Sequence, residues 1–325
     1  MKKRYYKEIN IARAIGIIMV VLFHSIGPEI YAISYINNIC NIIQMPLFFF
    51  VSGFVAYKIS AINSHKEYVE LVISKFKRLI IPYLFLGIFM FIPKLILNRY
   101  TVVKVEPNRF LYDLLVLGNN PITFLWFLYV LFMMFIIYSL LLKNNAQVTL
   151  IINFIIYIIL NKFSISIDIF RISTLIWYAN YFILGFIVFN YYEQIKDKIS
   201  KNLELVILLS VIYILTVPNI FNGNTYIYMI NALIGIICIL AISMKLSSMK
   251  IGGTFEYIGK YSYDIYLLSW FGQNIVRVGA QLIGFNLKTW IVFIGMFVGG
   301  MGVMFVSKFI FRKNKYSNKY VLGNS

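Results

Sequence analysis

Along this chain, long apolar runs alternate with short polar stretches. Ten runs cover residues 9–26, 39–57, 79–97, 122–142, 148–160, 174–190, 203–217, 226–244, 263–283 and 289–311. A membrane-spanning helix needs about 20 mostly apolar residues. Most of the runs match that length, while 148–160 and 203–217 are short for a full crossing. None shows the apolar–polar alternation of a barrel strand. The pattern therefore predicts helices, which satisfy every backbone polar group internally in lipid. The polar intervals contain no internal repeat and no low-complexity linker. The expected architecture is an all-α integral membrane protein with about ten transmembrane helices. It is read as a single domain over residues 1–325, with a short polar tail from about 312.

Composition sharpens this reading. Apolar residues make up 61% of the 325 and charged residues 13%, whereas a soluble domain carries about 25% charged. That excludes a soluble enzyme and a disordered chain. It also excludes a nucleic-acid reader despite the net charge of +18, because Lys and Arg in a membrane protein gather in cytoplasmic loops. With the N-terminus inside, 21 of the 30 basic residues fall in inner segments and 7 in outer loops; Arg13 and Lys94 lie within spans. That threefold bias fits ten spans with both termini cytoplasmic. The basic start, Lys2, Lys3 and Arg4, resembles a signal-peptide opening, but no small-residue cleavage site follows and Arg13 and His24 interrupt the apolar run. The expectation is a retained helix. Cys40 and Cys238 both sit in apolar runs and give neither a disulfide framework nor a metal cluster.

Ionisable groups at membrane depth are expensive and mark functional sites by default. The twelve carboxylates lie in loops or near run ends, with Glu204 and Asp264 nearest the membrane. Without a mid-depth carboxylate, a proton-relay transporter loses ground. Asp264 reads as a cap at the start of the ninth run, and Lys94 can snorkel outward. Arg13 and His24 remain. Eleven positions turn a helix to about 20° past three full turns, so the two side chains share a face about 16 Å apart along the axis. A guanidinium near the inner surface suits a phosphate-bearing ligand from the cytoplasm. A deeper imidazole suits a general base. The bland reading is a snorkelling Arg beside a hydrogen-bonded core His, and sharing one helix face makes that double coincidence less economical.

These residues also carry a resemblance. RAIGIIMVVLFH at 13–24, MPLFFFVSGF at 45–54, KFKRLIIPY at 75–83, WFL at 126–128 and SYDIYLLS at 262–269 stand in the chain in that order. Together they resemble the membrane acyltransferase-3 family of bacterial O-acyltransferases over nearly the whole chain, in the stand-alone form without an SGNH-type esterase domain. Three positions depart from the family's usual pattern. Asn10 stands where Asp is frequent, Gln44 where His precedes the MPLFFF run, and Ser269 where the ninth-helix motif ends in His. Each keeps hydrogen-bonding ability and loses titratable character, leaving His24 as the intramembrane base.

The resemblance implies transfer of an acyl group, usually acetyl, from cytoplasmic acyl-CoA to a hydroxyl of a cell-surface or lipid-linked saccharide, at the plasma membrane. Arg13 would lie near the acyl-CoA and His24 would be the base. Arg78 and Lys75, in an inner basic cluster, would contact the CoA phosphates, though topology and anionic lipid also account for such a cluster. Ser52, with Gly53, could offer a hydroxyl and a close backbone approach; small residues in membrane helices also serve packing. Trp126 reads as a wall aromatic or interfacial anchor, and Ser269 as a substrate contact. No metal and no bound cofactor are implied; acetyl-CoA is a donor substrate. The partners are acyl-CoA, a saccharide acceptor and membrane lipids, with no nucleic acid. Two rivals stand beside this reading. One is a transporter or flippase of lipid-linked glycan. The other is an acyl translocator serving a separate extracytoplasmic transferase.

Overall fold

Each of the ten apolar runs has become a helix. The computed structural model describes residues 5–26, 34–96, 105–220, 225–286 and 289–324. Lys2, Lys3, Arg4, Arg99, Lys104 and Lys288, all used in the loop-charge argument, lie outside the described residues. In chain order the helices are α1 (Lys7–Ser25), α2 (Ser34–Phe54), α3 (His65–Lys75), α4 (Ile81–Ile96) and α5 (Phe110–Leu115). Then follow α6 (Trp126–Leu141), α7 (Ala146–Lys162), α8 (Ile172–Asn190), α9 (Tyr192–Lys201) and α10 (Leu203–Ile220). The last are α11 (Thr225–Ser247), α12 (Gly252–Lys260), α13 (Ser262–Leu282), α14 (Trp290–Val306) and α15 (Lys315–Tyr320).

Among the described residues, seven helical stretches are long and apolar enough to cross a membrane: Lys7–Ser25, Tyr35–Tyr57, His65–Ile96, Thr123–Leu141, Ile169–Asn190, Thr225–Ser247 and Trp290–Phe311. The other three expected spans are the shorter apolar helices α7 and α10, and α13, which is 21 residues long but carries Asp264, Gln273, Asn274 and Arg277. Five further helices, α3, α5, α9, α12 and α15, arise in the intervals between or after the runs. Of these, α3 begins with a reciprocal capping box: Glu67 N–H donates to Ser64 Oγ at 3.2 Å and Ser64 N–H to Glu67 Oε2 at 3.2 Å. It continues through a π-helical turn, Phe76–Ile80, into α4.

The chain divides into two compact units, Met1–Val51 with Asn190–Phe309, and Ser52–Phe189 with Ile310–Ser325. In the first, α1 packs against α11, α12, α13 and α14. Glycine lets these backbones touch. A Cβ on Gly259 of α12 would lie 1.9 Å from the Asn10 carbonyl of α1, and one on Gly272 of α13 would lie 2.2 Å from the Gly299 carbonyl of α14. In the second unit, side chains tie helices to loop carbonyls. Tyr83 donates to the Leu114 carbonyl at 2.8 Å, Asn120 to the Tyr83 carbonyl at 2.8 Å, and Tyr129 to the Leu115 carbonyl at 2.8 Å. Lys94 does not snorkel outward; it is buried and donates to the Pro121 carbonyl at 2.7 Å.

Candidate active site

In the first unit the candidate face of α1 runs from Arg13 to His24. Arg13 is half-buried, and its Nη1 donates to Asn10 Oδ1 at 3.3 Å. Asn10 therefore still orients the guanidinium although it has no charge to offer. His24 is accessible at the other end of the helix. The adjacent turn is fixed by Gln273 of α13, whose Nε2 donates to the Val21 carbonyl and to Ser25 Oγ, both at 2.9 Å. Ser25 Oγ in turn donates to the Val21 carbonyl at 2.7 Å. Gln273 thus locks the end of α1 beside His24, a role the sequence alone did not single out. Ser269 lies one helical turn before Gln273 on the same face of α13 and is buried.

Gly16 of α1 faces Leu47 and Phe48 of α2, since a Cβ there would meet Leu47 at 3.0 Å and Phe48 at 3.3 Å. Consecutive spans run antiparallel, so Gln44 falls at a level between Gly16 and His24. Its carboxamide is buried, and Oε1 has no hydrogen-bond partner among the described residues. Buried polar atoms are almost always satisfied, so this acceptor stands out beside α1.

Two carboxylates in this unit take structural roles that pattern alone did not show. Glu8, at the inner end of α1, is buried; it accepts from Lys196 Nζ at 2.7 Å and from the Tyr192 hydroxyl at 2.9 Å. That pair anchors α9 to the start of α1. Asp264 is not a cap: α13 has no side-chain cap, and Asp264 is wholly buried, accepting from Ser307 Oγ at 2.6 Å. The sequence gives no sign of either partner, because Lys196 and Ser307 are remote in the chain.

In the second unit the remaining candidates separate into two places. Lys75 lies over the Phe135 ring at 3.8 Å. Arg78 sits in the π-helical turn, and its Nη1 donates to the Leu322 carbonyl at 2.8 Å and to Asn324 Oδ1. With Ser74, Gly323 and Asn324 these two cations line a cavity of about 260 Å³. The polar tail is therefore folded back: Val321 and Leu322 are buried, and α15 packs on α4. Trp126 begins α6, nine residues and about 14 Å along the axis from Phe135. It cannot share one small ligand group with Lys75. Ser52 is half-buried; a Cβ on the adjacent Gly53 would lie 1.8 Å from the Phe182 carbonyl, so Gly53 serves helix packing against α8. Among the described residues no three His, Cys, Asp or Glu side chains gather as a metal ligand set.

Trp126 borders a cavity of about 630 Å³ whose aromatic wall also includes Tyr157, Trp177 and Tyr178. Trp126 and Tyr178 have ring centroids 5.4 Å apart, and Tyr157 and Trp177 4.8 Å. The cavity lies where α6 and α8 begin and α7 ends, the extracytoplasmic side by the loop-charge bias.

Comparison with known protein families decides the identity. A family model described as an acyltransferase domain matches residues 6–308, from just before α1 to just past the end of α14. The chain belongs to the acyltransferase-3 family. Comparison with curated proteins and with solved structures gives no significant match. As a member of the acyltransferase-3 family with this helical body, the protein is a multi-pass membrane acyltransferase.

Proposed function

We propose that this acyltransferase-3 protein moves an acetyl group from cytoplasmic acetyl-CoA to a hydroxyl of a cell-surface or lipid-linked saccharide at the plasma membrane. The observation that carries the reading is the pair Arg13 and His24, set about 16 Å apart on one face of a helix enclosed by four others. Arg13 is near the inner surface, where its guanidinium can meet the phosphates or the polar pantetheine arm of the donor. His24 lies further out, where an acceptor hydroxyl arrives.

Chemically, the His24 imidazole takes the proton of the acceptor hydroxyl as the oxygen attacks the thioester carbonyl. The tetrahedral intermediate collapses, the C–S bond breaks, and the departing thiolate receives the proton from the imidazolium. An ester and free CoA result, with no redox change. The developing oxyanion needs donors; the Gln44 carboxamide and the Ser269 hydroxyl are among the polar groups that α2 and α13 bring into the same unit. Lys75 and Arg78 supply a second inner cationic pair for the CoA phosphates.

The test supplies radiolabelled acetyl-CoA to membranes containing the full chain, with a surface-glycan extract as acceptor. The wild type should place label in base-labile ester on glycan. His24→Ala should lower the rate on the order of 10²–10⁴-fold, as expected for loss of a general base. Arg13→Ala should chiefly raise the acetyl-CoA concentration required. Equal behaviour of wild type and His24→Ala would overturn the reading. Label crossing the membrane without reaching glycan would assign the protein to acyl translocation instead.

A further inference from the structure

We propose that the outer cavity bordered by Trp126 is the seat of the acceptor saccharide, a binding site separate in sequence from the Arg13–His24 helix. The inference rests on the transferase reading for its purpose, though its geometry stands by itself. At about 630 Å³ the cavity falls within the range of small-ligand sites, about 300–1,000 Å³. Its wall combines two chemistries. Trp126, Trp177 and Tyr178 are half-buried and Tyr157 is buried, so faces or edges of large rings are presented at a site with solvent access. The C–H face of a pyranose is apolar and weakly positive, which matches the negative face of an aromatic ring. Interleaved with these rings are Asn161, Ser164, Ser166, Ser173 and Thr174, short polar side chains that suit sugar hydroxyls. A lipid tail would be served by the rings and opposed by the hydroxyls and amide.

Arg171 fixes the polar end. Its Nη2 donates to Asn119 Oδ1 at 2.5 Å and its Nε to the Gly118 carbonyl at 3.3 Å, which orients the guanidinium. The same residue borders a second cavity of about 260 Å³, lined also by Asp113, Asn119, Asn120 and Thr123. Two cavities sharing one wall suit successive units of an oligosaccharide better than a single small molecule. The rim is built for a set shape. Ser164, Phe170 and Arg171 all hold left-handed backbone (φ 51°, 52° and 52°), a strain that persists only where the surroundings impose it. Phe170 N–H donates to the Val116 carbonyl at 2.7 Å, and Ile167 N–H to Ser173 Oγ at 2.8 Å, holding that loop across the ends of the helices.

The experiment uses full-length protein in lipid nanodiscs. One measurement is retention of fluorescently labelled, delipidated surface-glycan fragments; the other is transfer kinetics from acetyl-CoA to the same fragments. Trp177→Ala should weaken glycan retention and raise the glycan half-saturation by about tenfold, leaving that for acetyl-CoA unchanged, and Trp177→Phe should restore most of both. Trp290→Ala, at an exposed ring of α14 in the other unit, should change neither. Unaltered glycan half-saturation in a folded Trp177→Ala protein would overturn the subsite while leaving the transferase intact. Retention that depends on Trp177 without any transfer would sink the transferase reading and keep the saccharide site. Absence of retention by the wild type, or displacement of glycan by phospholipid, would overturn the subsite.

Discussion

The two compact units draw on the same two devices, glycine contacts and side-chain ties, and place them differently. Around α1, the first unit combines backbone-to-backbone contact at glycines with side-chain ties between helices, Gln273 of α13 to Ser25 of α1 and Lys196 of α9 to Glu8 of α1. The second unit uses the glycine contact at Gly53. Elsewhere it hangs its helices on side chains reaching across to carbonyls and amides, among them Lys94 to Pro121 and Tyr138 to Asn153. The difference has a functional consequence. Backbone contact leaves no space and holds Arg13 and His24, the proposed reacting pair, at fixed levels along one helix. Longer side-chain struts leave room between helix ends, and in this molecule that room is an aromatic-lined cavity.

The sharpest way to break the contrast is to add one methyl group at a glycine contact. Gly259→Ala should force α12 away from Asn10, costing about 1–3 kcal/mol as overpacking does. Because Asn10 also orients Arg13, the acetyl-CoA half-saturation should rise as well. Thermal unfolding in detergent and donor kinetics read the two effects. Gly253→Ala, where a Cβ meets nothing within 4 Å, should be near neutral in both. Equal stability of the two variants would mean that backbone contact does not organise the first unit.

A smaller effect is expected from cutting a strut in the second unit. Asn153 of α7 accepts from the Tyr138 hydroxyl at 2.5 Å and donates to Asn180 Oδ1 and the Ile176 carbonyl, both at 3.0 Å. Asn153→Leu leaves those buried groups without this partner, and about 1 kcal/mol of stability should be lost, near the measured scale for hydrogen bonds between membrane helices. Tyr157 is one turn further along α7, so glycan binding should weaken while acetyl-CoA kinetics stay as they were. A change confined to the donor side would contradict the assignment of the two regions.

The smallest effect lies outside the spans. Tyr5 donates to Glu256, and Lys260 pairs with the same carboxylate at 3.1 Å. The Tyr5 hydroxyl and then the Lys260 ammonium hold the Glu256 carboxyl below its ordinary range. A lowered carboxyl contributes stability above its unfolded pKa, about 4.3, and loses it as pH falls from there through the folded value. Glu256→Gln should therefore lower stability slightly at neutral pH, match the wild type at low pH, and so flatten the acid limb of a stability–pH curve. An unchanged acid limb would remove this pair from the list of contacts tying the start of α1 to α12.

Part of the candidate site was legible in the sequence because its signal is local. Arg13 and His24 share a face by helical period alone, and the ordered motifs pointed to the family that the matched residues 6–308 establish. Gln273, Glu8 and the outer cavity were not legible. Gln273 looks like an ordinary polar residue until α13 is laid against α1. Glu8 looks like a loop carboxylate until Lys196 and Tyr192 meet it. Trp126, Tyr157 and Trp177 belong to three different helices, so nothing in their spacing announces a common wall.

The sequence by itself therefore determined the all-α class and the ten helices that lie on the apolar runs, since run length and period each act over a single turn or a single span. Only the tertiary structure decided which polar groups are satisfied and where space remains. It placed the tail on Arg78, the Pro121 carbonyl on Lys94 and the rings around one cavity. Those outcomes depend on partners tens to hundreds of residues apart, brought together by packing rather than by pattern.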